Sequence, residues 1–531
     1  MTVDPFSFAL TRSPALLDRL AVEARDEQEL LPAMLQDVDR FCAEQVDGAR
    51  IDREGRLGAA LLEKVAARGW FGLTVPADFG GAGLSLAAAA RIVTALAGHN
   101  GSLGTCVGLH SGLALHALLH QGSAALQARY LPEVAAGARI AAFAATEPEA
   151  GSDISAVRTT LREVDGQLRL DGDKCYVTNG GICGLVTVLA RSPGLGGARA
   201  GHTLVLVDPE APGVSRGREE HKLGLKGSST VTLTFDGVVV PPEHVLGELS
   251  QGLGHAHAAL CWGRTFMAAG CLGSAQAALR QVREHTVARR QFGRSLAQFP
   301  LVRQALARAK AELHAVESTL RLVCAVSDAR LGDLALPSAM VKVLASEAAF
   351  RVVDDALQLM GGAGYIEDAG MARRLRDVRI TRIFEGANDV LRLSIAASAL
   401  AWPVARLHGA TTVEGLPEPL RAEALELDAR LGQLVQALVV AKKRWGFRLF
   451  EQQAVAVALA DAITHAFAAL AVLQRARSTA ANSTELAVAR LALRCQLERV
   501  SERLERVAGP ADSELDALTE QVGRQLTGEA G

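Results

Sequence analysis

The chain has 531 residues, 49% of them hydrophobic, with 51 glycines and a formal net charge of −2. That length exceeds one ordinary core, so several domains are expected, and the composition is globular rather than disordered. The near-neutral charge and 4% aromatics argue against the basic, base-stacking surface of a nucleic-acid binder.

Eight cysteines are scattered as Cys42, Cys106, Cys175, Cys183, Cys261, Cys271, Cys324 and Cys495. None forms a C-x-x-C pair, so no metal site is expected, and the default compartment is a reducing cytoplasm. The opening "MTVDPFSFAL" has an early Asp and no basic-then-apolar targeting pattern.

Residues 1–140 read as a helical domain. "QELLPAMLQDVDRFCAEQV" and "AALLEKVAARGWFG" carry apolar residues at helical spacing, while "GWFGLTVPADFGGAGLS" (69–85) breaks into a loop. "HNGSLGTCVGLHSGLAL" (99–115) places Gly104, Gly108 and Gly112 four apart, on one helix face. Such a bare face serves close helix packing or leaves room for a long apolar chain.

From 141 to 250 the texture changes to short β-branched runs separated by Gly or Pro, such as "HTLVLVD" and "STVTLTFDGVVV". They predict antiparallel strands in a small barrel or sandwich. Helical patterns return over 251–402, for example at 301–331. Pro403 and the segment 408–420 read as a linker, and a further helical domain fills 403–531. Its apolar run 454–473 is interrupted by Asp461 and His465, so it reads as a buried helix rather than a membrane span. Within it, 439–457 mixes Lys, Arg, Trp and Phe, as interfacial helices do; packing on a second copy is the other reading.

The chain lacks G-x-G-x-x-G, G-x-x-x-x-G-K-[ST] and H-E-x-x-H patterns. "GVSRG" (213–217) matches G-x-S-x-G, but its flanks do not give strand then helix, so it reads as a turn. "TEPEAGSD" (146–153) crowds hydroxyls, acids and glycine after an apolar strand, and "YVTNGG" (176–181) repeats that chemistry. Two such clusters on one β-domain suit a planar cofactor with polar edges. "RIFEGANDVLRL" (382–393) sets a lone carboxylate, Glu385, between Phe384 and Gly386. Alone it reads as a charged helix start.

Together these stretches resemble the acyl-CoA dehydrogenases. "AAFAATEPEAGSD" resembles the family's first signature, and "YVTNGG" its flavin-facing strand. "GLKGSSTVTLTFDGVVVPPEHVLGE" is similar to its last barrel strands. "ARRQFGRSL" (288–296) resembles the segment reaching the neighbouring subunit's FAD, and 358–389 its second signature. The extra C-terminal helices and "SLAQFPLVRQ" are similar to the very-long-chain branch.

The resemblance implies an α+β, mainly α, fold: an N-terminal helical domain, a central β-barrel, a C-terminal four-helix bundle and an extra C-terminal helical domain. It implies FAD as cofactor, an acyl-CoA substrate, an electron-transfer flavoprotein as acceptor, and a homodimer. It makes Glu385 the catalytic base, with its backbone N–H as half of an oxyanion hole beside a ribityl hydroxyl of FAD, and Gly386 keeping that backbone accessible to the thioester. Phe143, Thr146, Ser152, Tyr176 and Thr178 would bind the flavin. Arg289, Gln291, Phe292, Gln358 and Gly362 would hold its diphosphate and adenosine across the dimer. Ser152 and Arg264 would meet CoA. The family's alternative base position, one before Arg264, is Gly263, so Glu385 is the only carboxylate at either place. Three departures stand out: Ala387 for the usual Thr, Cys261 for an Asp or Asn, and Glu149-Ala150 in the first signature. An FAD-stabilised assembly relative and an acyl-CoA oxidase are the alternatives.

Overall fold

The structure, a computed structural model, describes residues 25–195, 199–401, 415–478, 482–508 and 514–528. The chain divides into two compact units, with the division between Asn388 and Asp389.

The first unit opens with α1 (Arg25–Gln45), α2 (Gly48–Glu54), α3 (Ala59–Ala66), α4 (Leu86–His99), α5 (Gly101–Leu109), α6 (Leu115–Gln121) and α7 (Ala124–Ala135). Four of these starts are set by local chemistry. The side chains of Asp47, Ser85, Asn100 and Ser123 each accept the backbone N–H three residues on. The stretch 69–85 is a loop with two short 3-10 turns, and it is anchored by buried Trp70 and Phe71.

The predicted continuous helix over the glycine face is interrupted. A π turn, His110–Ala114, separates α5 from α6. His110 is fully buried there, with Nε2 3.0 Å from the Phe71 carbonyl and Nδ1 accepting the Ala141 N–H at 2.8 Å. A ring with one donor and one acceptor in use is neutral, and burial lowers its pKa to about 4.

Eight strands follow: β1 (Ile140–Ala144), β2 (Thr160–Val164), β3 (Gln167–Thr178), β4 (Cys183–Ser192), β5 (Gly201–Val207), β6 (Val214–Arg216), β7 (Thr230–Val240) and β8 (Val245–Leu246). Their order is β6-β7-β3-β2-β4-β5-β8, with β1 beside β4. The all-antiparallel expectation needs correcting, because β1 runs parallel to β4. No hairpin joins that pair; β2 and β3 intervene, so no tight turn fixes its direction. "GVSRG" is corrected too. Its Val214–Arg216 forms edge strand β6 on β7, and no helix follows. The β2–β3 hairpin is the tightest feature: Val164 pairs with Gln167 across Asp165-Gly166, both at positive φ, which is what a two-residue turn of this twist demands.

Alternation along the strands sorts the side chains. Val186, Val188, Val205, Val207, Val231 and Leu233 share a core enclosed by the curled sheet. Leu185, Leu189, Leu204 and Leu206 point the other way and pack with Leu118 of α6 and Leu131 of α7.

Next come α8 (Gly252–Ala288), a hairpin of β9 (Arg290–Gln291) and β10 (Arg294–Ser295), α9 (Pro300–Asp328), α10 (Ala335–Met360), α11 (Gly362–Tyr365) and α12 (Met371–Arg379). Helices α8, α9, α10 and α4 pack side by side. The unit thus has the predicted order of helices, strands and helices.

The second unit holds α13 (Asn388–Leu400) from Asp389 onward, α14 (Arg421–Arg444), α15 (Gln453–Ser478), α16 (Ser483–Ala508) and α17 (Glu514–Thr527). Pro403 and residues 408–414 of the expected linker lie outside the described residues. The apolar run 454–473 lies in α15. Among the described residues, two stretches, Gly101–Gln121 and Gln453–Arg477, are long and apolar enough to cross a membrane, and both are mostly buried inside the fold. The polar interruptions of α15 have partners: Asp461 pairs with Arg392 at 2.7 Å and Arg503 at 3.3 Å, and His465 Nδ1 lies 2.8 Å from Gln496 Oε1.

Candidate active site

Glu385 does not sit in a helix start. A 3-10 turn, Ile380–Arg382, ends α12, and α13 begins only at Asn388. Between them Glu385 takes φ +57° and Gly386 φ +93°. A glycine adopts that left-handed backbone freely, but a glutamate there is strained, so its surroundings must hold it.

They do so from two helices. Arg264 of α8 donates its Nε–H to the Glu385 carbonyl at 3.1 Å. Lys342 of α10 donates its ammonium to the Gly386 carbonyl at 2.7 Å and to Asn388 Oδ1 at 2.9 Å. Asn388 is knotted further, through Nδ2, to Ser346 Oγ and Glu347 Oε1. The Glu385 residue keeps partial exposure, but its Oε2 is shut away from solvent without a hydrogen-bond partner. Burial pushes the carboxyl up to about 7, against the opposing pull of the Arg264 and Lys342 cations.

Gly263 faces this carboxyl. A Cβ at that position would stand 2.7 Å from Glu385 Oε2 and 3.3 Å from Leu113. The two places where a base is expected therefore confront one another across one small space, and only one of them carries a side chain. Phe143 borders the same region, packed with Leu109, Leu113 and Ala259.

A small apolar cavity of about 30 Å³ continues along the same stripe of α8. Phe266, Met267, Gly270, Cys271 and Ser274 line it from α8, at the helical spacing that also places Gly263. Gly104 and Gly108 line it from α5. Both readings of the glycine face hold in part. A Cβ on Gly104 would strike Ala97 at 2.6 Å, and one on Gly112 the Phe266 ring at 2.2 Å, so close packing decides those two. Gly104 and Gly108 nonetheless also line the small cavity.

The first signature is organised by Glu147. Its carboxylate accepts the Arg158 and Thr159 N–H groups and pairs with Lys174 at 2.7 Å, both side chains being buried. This pins the loop, while the hydroxyls of Thr146 and Ser152, and that of Thr178 on β3, take no side-chain hydrogen bond within the described residues. On β3 a bulge between Lys174 and Val177 puts Tyr176 at φ +56° and turns its ring outward, 66% exposed.

Arg289 follows α8, and Gln291 and Phe292 lie on the β9–β10 hairpin, whose tip is Phe292 at φ +53° and 91% exposed. Gln358 lies in the last turn of α10 and Gly362 opens α11; both are exposed. The structure thus brings together Glu385, Gly386 and Arg264. Thr146, Ser152, Tyr176 and Thr178 belong to the β-domain, and Arg289, Gln291, Phe292, Gln358 and Gly362 to exposed helix ends and the hairpin. No hydrogen bond or ion pair among the described residues joins those sets to Glu385.

Of the departures, Cys261 is buried on α8, and its backbone carbonyl accepts the Thr265 hydroxyl at 2.9 Å. Sequence reasoning missed Lys342. The available signal was a lone lysine inside the apolar run "ALPSAMVKVLASEAAF".

Three comparisons place the chain. Residues 26–138, 142–238 and 250–400 match, in order, the N-terminal, middle and C-terminal domain models of acyl-CoA dehydrogenase. The mitochondrial very long-chain specific acyl-CoA dehydrogenase of Macaca fascicularis is 34% identical over 401 residues, covering 74% of this chain and 61% of that protein's length. An acyl-CoA dehydrogenase of Bacillus subtilis (strain 168) is 33% identical over 377 residues, 70% of this chain and 97% of that one. The crystal structure of an acyl-CoA dehydrogenase complexed with FAD from Bacillus anthracis shares the fold, with a TM-score of 0.83 at 24% identity over 96% of this chain and 94% of that one. By its matched domains and by these relatives, the chain belongs to the acyl-CoA dehydrogenase family.

Proposed function

We propose that this chain is an FAD-dependent acyl-CoA dehydrogenase of fatty acid β-oxidation. It takes a long- or very-long-chain acyl-CoA to the trans-2-enoyl-CoA and passes electrons to an electron-transfer flavoprotein. One observation carries the reading: the Glu385 carboxyl, with a buried unpartnered oxygen and a pKa near 7, shares an α8 stripe with an apolar cavity.

Family membership supports the cofactor, and the residues present fit it. An outward aromatic ring at Tyr176 and unengaged hydroxyls at Thr146 and Thr178 suit a planar ring with polar edges. Phe143 and Ser152 would complete that set. Arg289, Gln291, Phe292, Gln358 and Gly362 would take the diphosphate and adenosine across a homodimer, a reading supported by the exposure of Phe292, Leu301, Tyr365 and Ile366. FAD, when bound, would supply the acceptor for the β-hydride.

The chain's own residues supply the rest. Glu385 takes the α-proton, and a pKa near 7 leaves much of it ionised at neutral pH while keeping it basic. Its backbone N–H polarises the thioester carbonyl, and Gly386 presents no Cβ to hinder that approach. Arg264 and Ser152 meet the CoA moiety. The cavity along α8 receives the acyl tail.

Incubating the FAD-loaded protein with acyl-CoAs of graded length and a dye acceptor tests this. Turnover is expected to favour long chains, with little peroxide in aerobic buffer. No turnover at any length, from protein with FAD bound, would overturn the reading. We place the enzyme in the cytoplasm, with peripheral membrane contact through its C-terminal unit. That placement is supported by Val439, Val440 and Phe450, exposed on the segment that carries Lys442, Lys443 and Arg444.

A further inference from the structure

Lys342 is fully buried, yet the two oxygens it bonds are neutral. A buried ammonium without a directly bonded carboxylate is costly, so the fold must gain something for keeping it. Its contacts show where that gain falls. The Gly386 carbonyl belongs to the peptide that follows the left-handed Glu385–Gly386 pair, and Asn388 Oδ1 belongs to the residue that opens α13. Arg264 holds the preceding carbonyl, that of Glu385, from the other side. Two cations from two helices thus fix the peptide planes on both sides of Gly386. Neither touches the Glu385 carboxylate itself, so the carboxyl stays free to face Gly263.

We propose that Lys342 is a positioning residue for the reaction. It clamps the Gly386 carbonyl and Asn388, so that the strained Glu385–Gly386 turn stays open, and it supplies a nearby positive charge against which Glu385 ionises. This rests on the reading of Glu385 as the base.

The charge balance supports the geometry. Arg264 and Lys342 both favour ionised Glu385, opposing burial. Lys342 in turn faces Cys271 and Arg264 from α8, Glu347 from its own helix, and Glu385 from the turn. Glu347 is also ion-paired with Arg382 at 3.0 Å, so its charge is shared. Removing the ammonium would leave Arg264 as the remaining cation acting on Glu385, and the base would ionise at higher pH.

The experiment compares FAD-loaded wild type, Lys342→Met, Lys342→Arg and Glu385→Gln, following flavin content, kcat, KM and the pH profile of kcat/KM. Lys342→Met is expected to keep flavin and to lose roughly 100-fold in kcat with little change in KM, the scale of a misplacement by about an ångström. Its acid limb should move up by about one pH unit. Lys342→Arg should return the limb to its wild-type position and recover part of kcat. An unmoved limb in Lys342→Met, with or without a loss of rate, overturns the proposal. Should Lys342→Met lose flavin, Lys342→Gln, which keeps a donor but no charge, is read by the same limb. Loss of flavin in both, with Lys342→Arg fully active, also overturns it. Glu385→Gln separates the two readings: if it is inactive while Lys342→Met keeps its limb, only the Lys342 role fails. If Glu385→Gln is active, the base assignment fails.

Discussion

Backbone strain marks the candidate site residue by residue. Eight non-glycine residues are described at positive φ, and Tyr176, Phe292 and Glu385 are among them. Each such residue costs about 1–3 kcal/mol and persists only where neighbours hold it. For Glu385 the strain is joined by an ionisation cost that can be measured. Its folded pKa, about 7, lies above the ordinary 4.5. The group's stabilising contribution is therefore complete below pH 4.5 and is lost as pH rises through 7. Glu385→Gln cannot ionise, so in the apoprotein its stability relative to wild type should rise over that window by about 1.4 kcal/mol per unit at most. Partial exposure of the residue reduces the total to on the order of 2 kcal/mol. Denaturant melts at pH 5 and pH 8 check this, and an equal difference at both would show that the carboxyl is not buried as described. In the holoprotein the same variant should retain FAD while kcat falls roughly 10²–10⁴-fold, the usual weight of a general base.

At the scale of elements, what the sequence made legible was periodic and local. The β-branched runs over 141–250 read as strands and the apolar spacing over 301–331 as a helix, and the chain folds so. What it did not make legible depends on partners distant in the chain. The parallel seat of β1 on β4, the π turn at His110 bonded to Phe71 and Ala141, and the Tyr176 bulge against β7 leave no local pattern. In the site, Glu385, Gly386 and Arg264 were legible as motif members. Lys342 was not, because a lysine becomes informative only once its helix is known to be buried. The cavity on α8 was half legible, since a glycine face cannot say which glycines are packed and which are hollow.

Gly270 is hollow. A Cβ there meets nothing closer than Ala97 at 3.9 Å, and both residues line the cavity. Gly270→Leu should thus place its Cβ without a clash, occupy the small cavity with the rest of its side chain, and gain up to about 1 kcal/mol of helix propensity. FAD content and melting temperature should hold, short acyl-CoAs should still turn over, and long ones should fail. Undiminished turnover of the longest substrate would show that the tail lies elsewhere.

For the whole molecule, the division of labour follows the two units. Every candidate site residue lies in the first, before Asp389. The second spends its buried charges internally: Glu423, buried on α14, is met by Arg490 and Arg494 of α16, and Asp461 by Arg392 and Arg503. At the exposed end of α14, Lys442, Lys443 and Arg444, the last lying over the Trp445 ring, follow exposed Val439 and Val440 and precede exposed Phe450. With a net charge of only −2, this local excess is not drowned by a strong opposing field. Basic side chains near an anionic bilayer contribute about 1 kcal/mol each, so three should raise affinity on the order of 100-fold. The full chain with FAD should therefore float with vesicles containing anionic lipid but not with neutral ones. Binding should vanish near 1 M salt, where the screening length falls to about 3 Å. Reversing the three charges, as Lys442→Glu, Lys443→Glu and Arg444→Glu together, should abolish flotation and leave turnover of a soluble, short acyl-CoA unchanged. Flotation that survives the reversal would move the contact to another surface. Failure of the wild type to float would instead leave the apolar residues around Lys442 to a second copy of the chain, an outcome that size-exclusion mass measurement of the charge-reversed protein would then register as a loss of dimer.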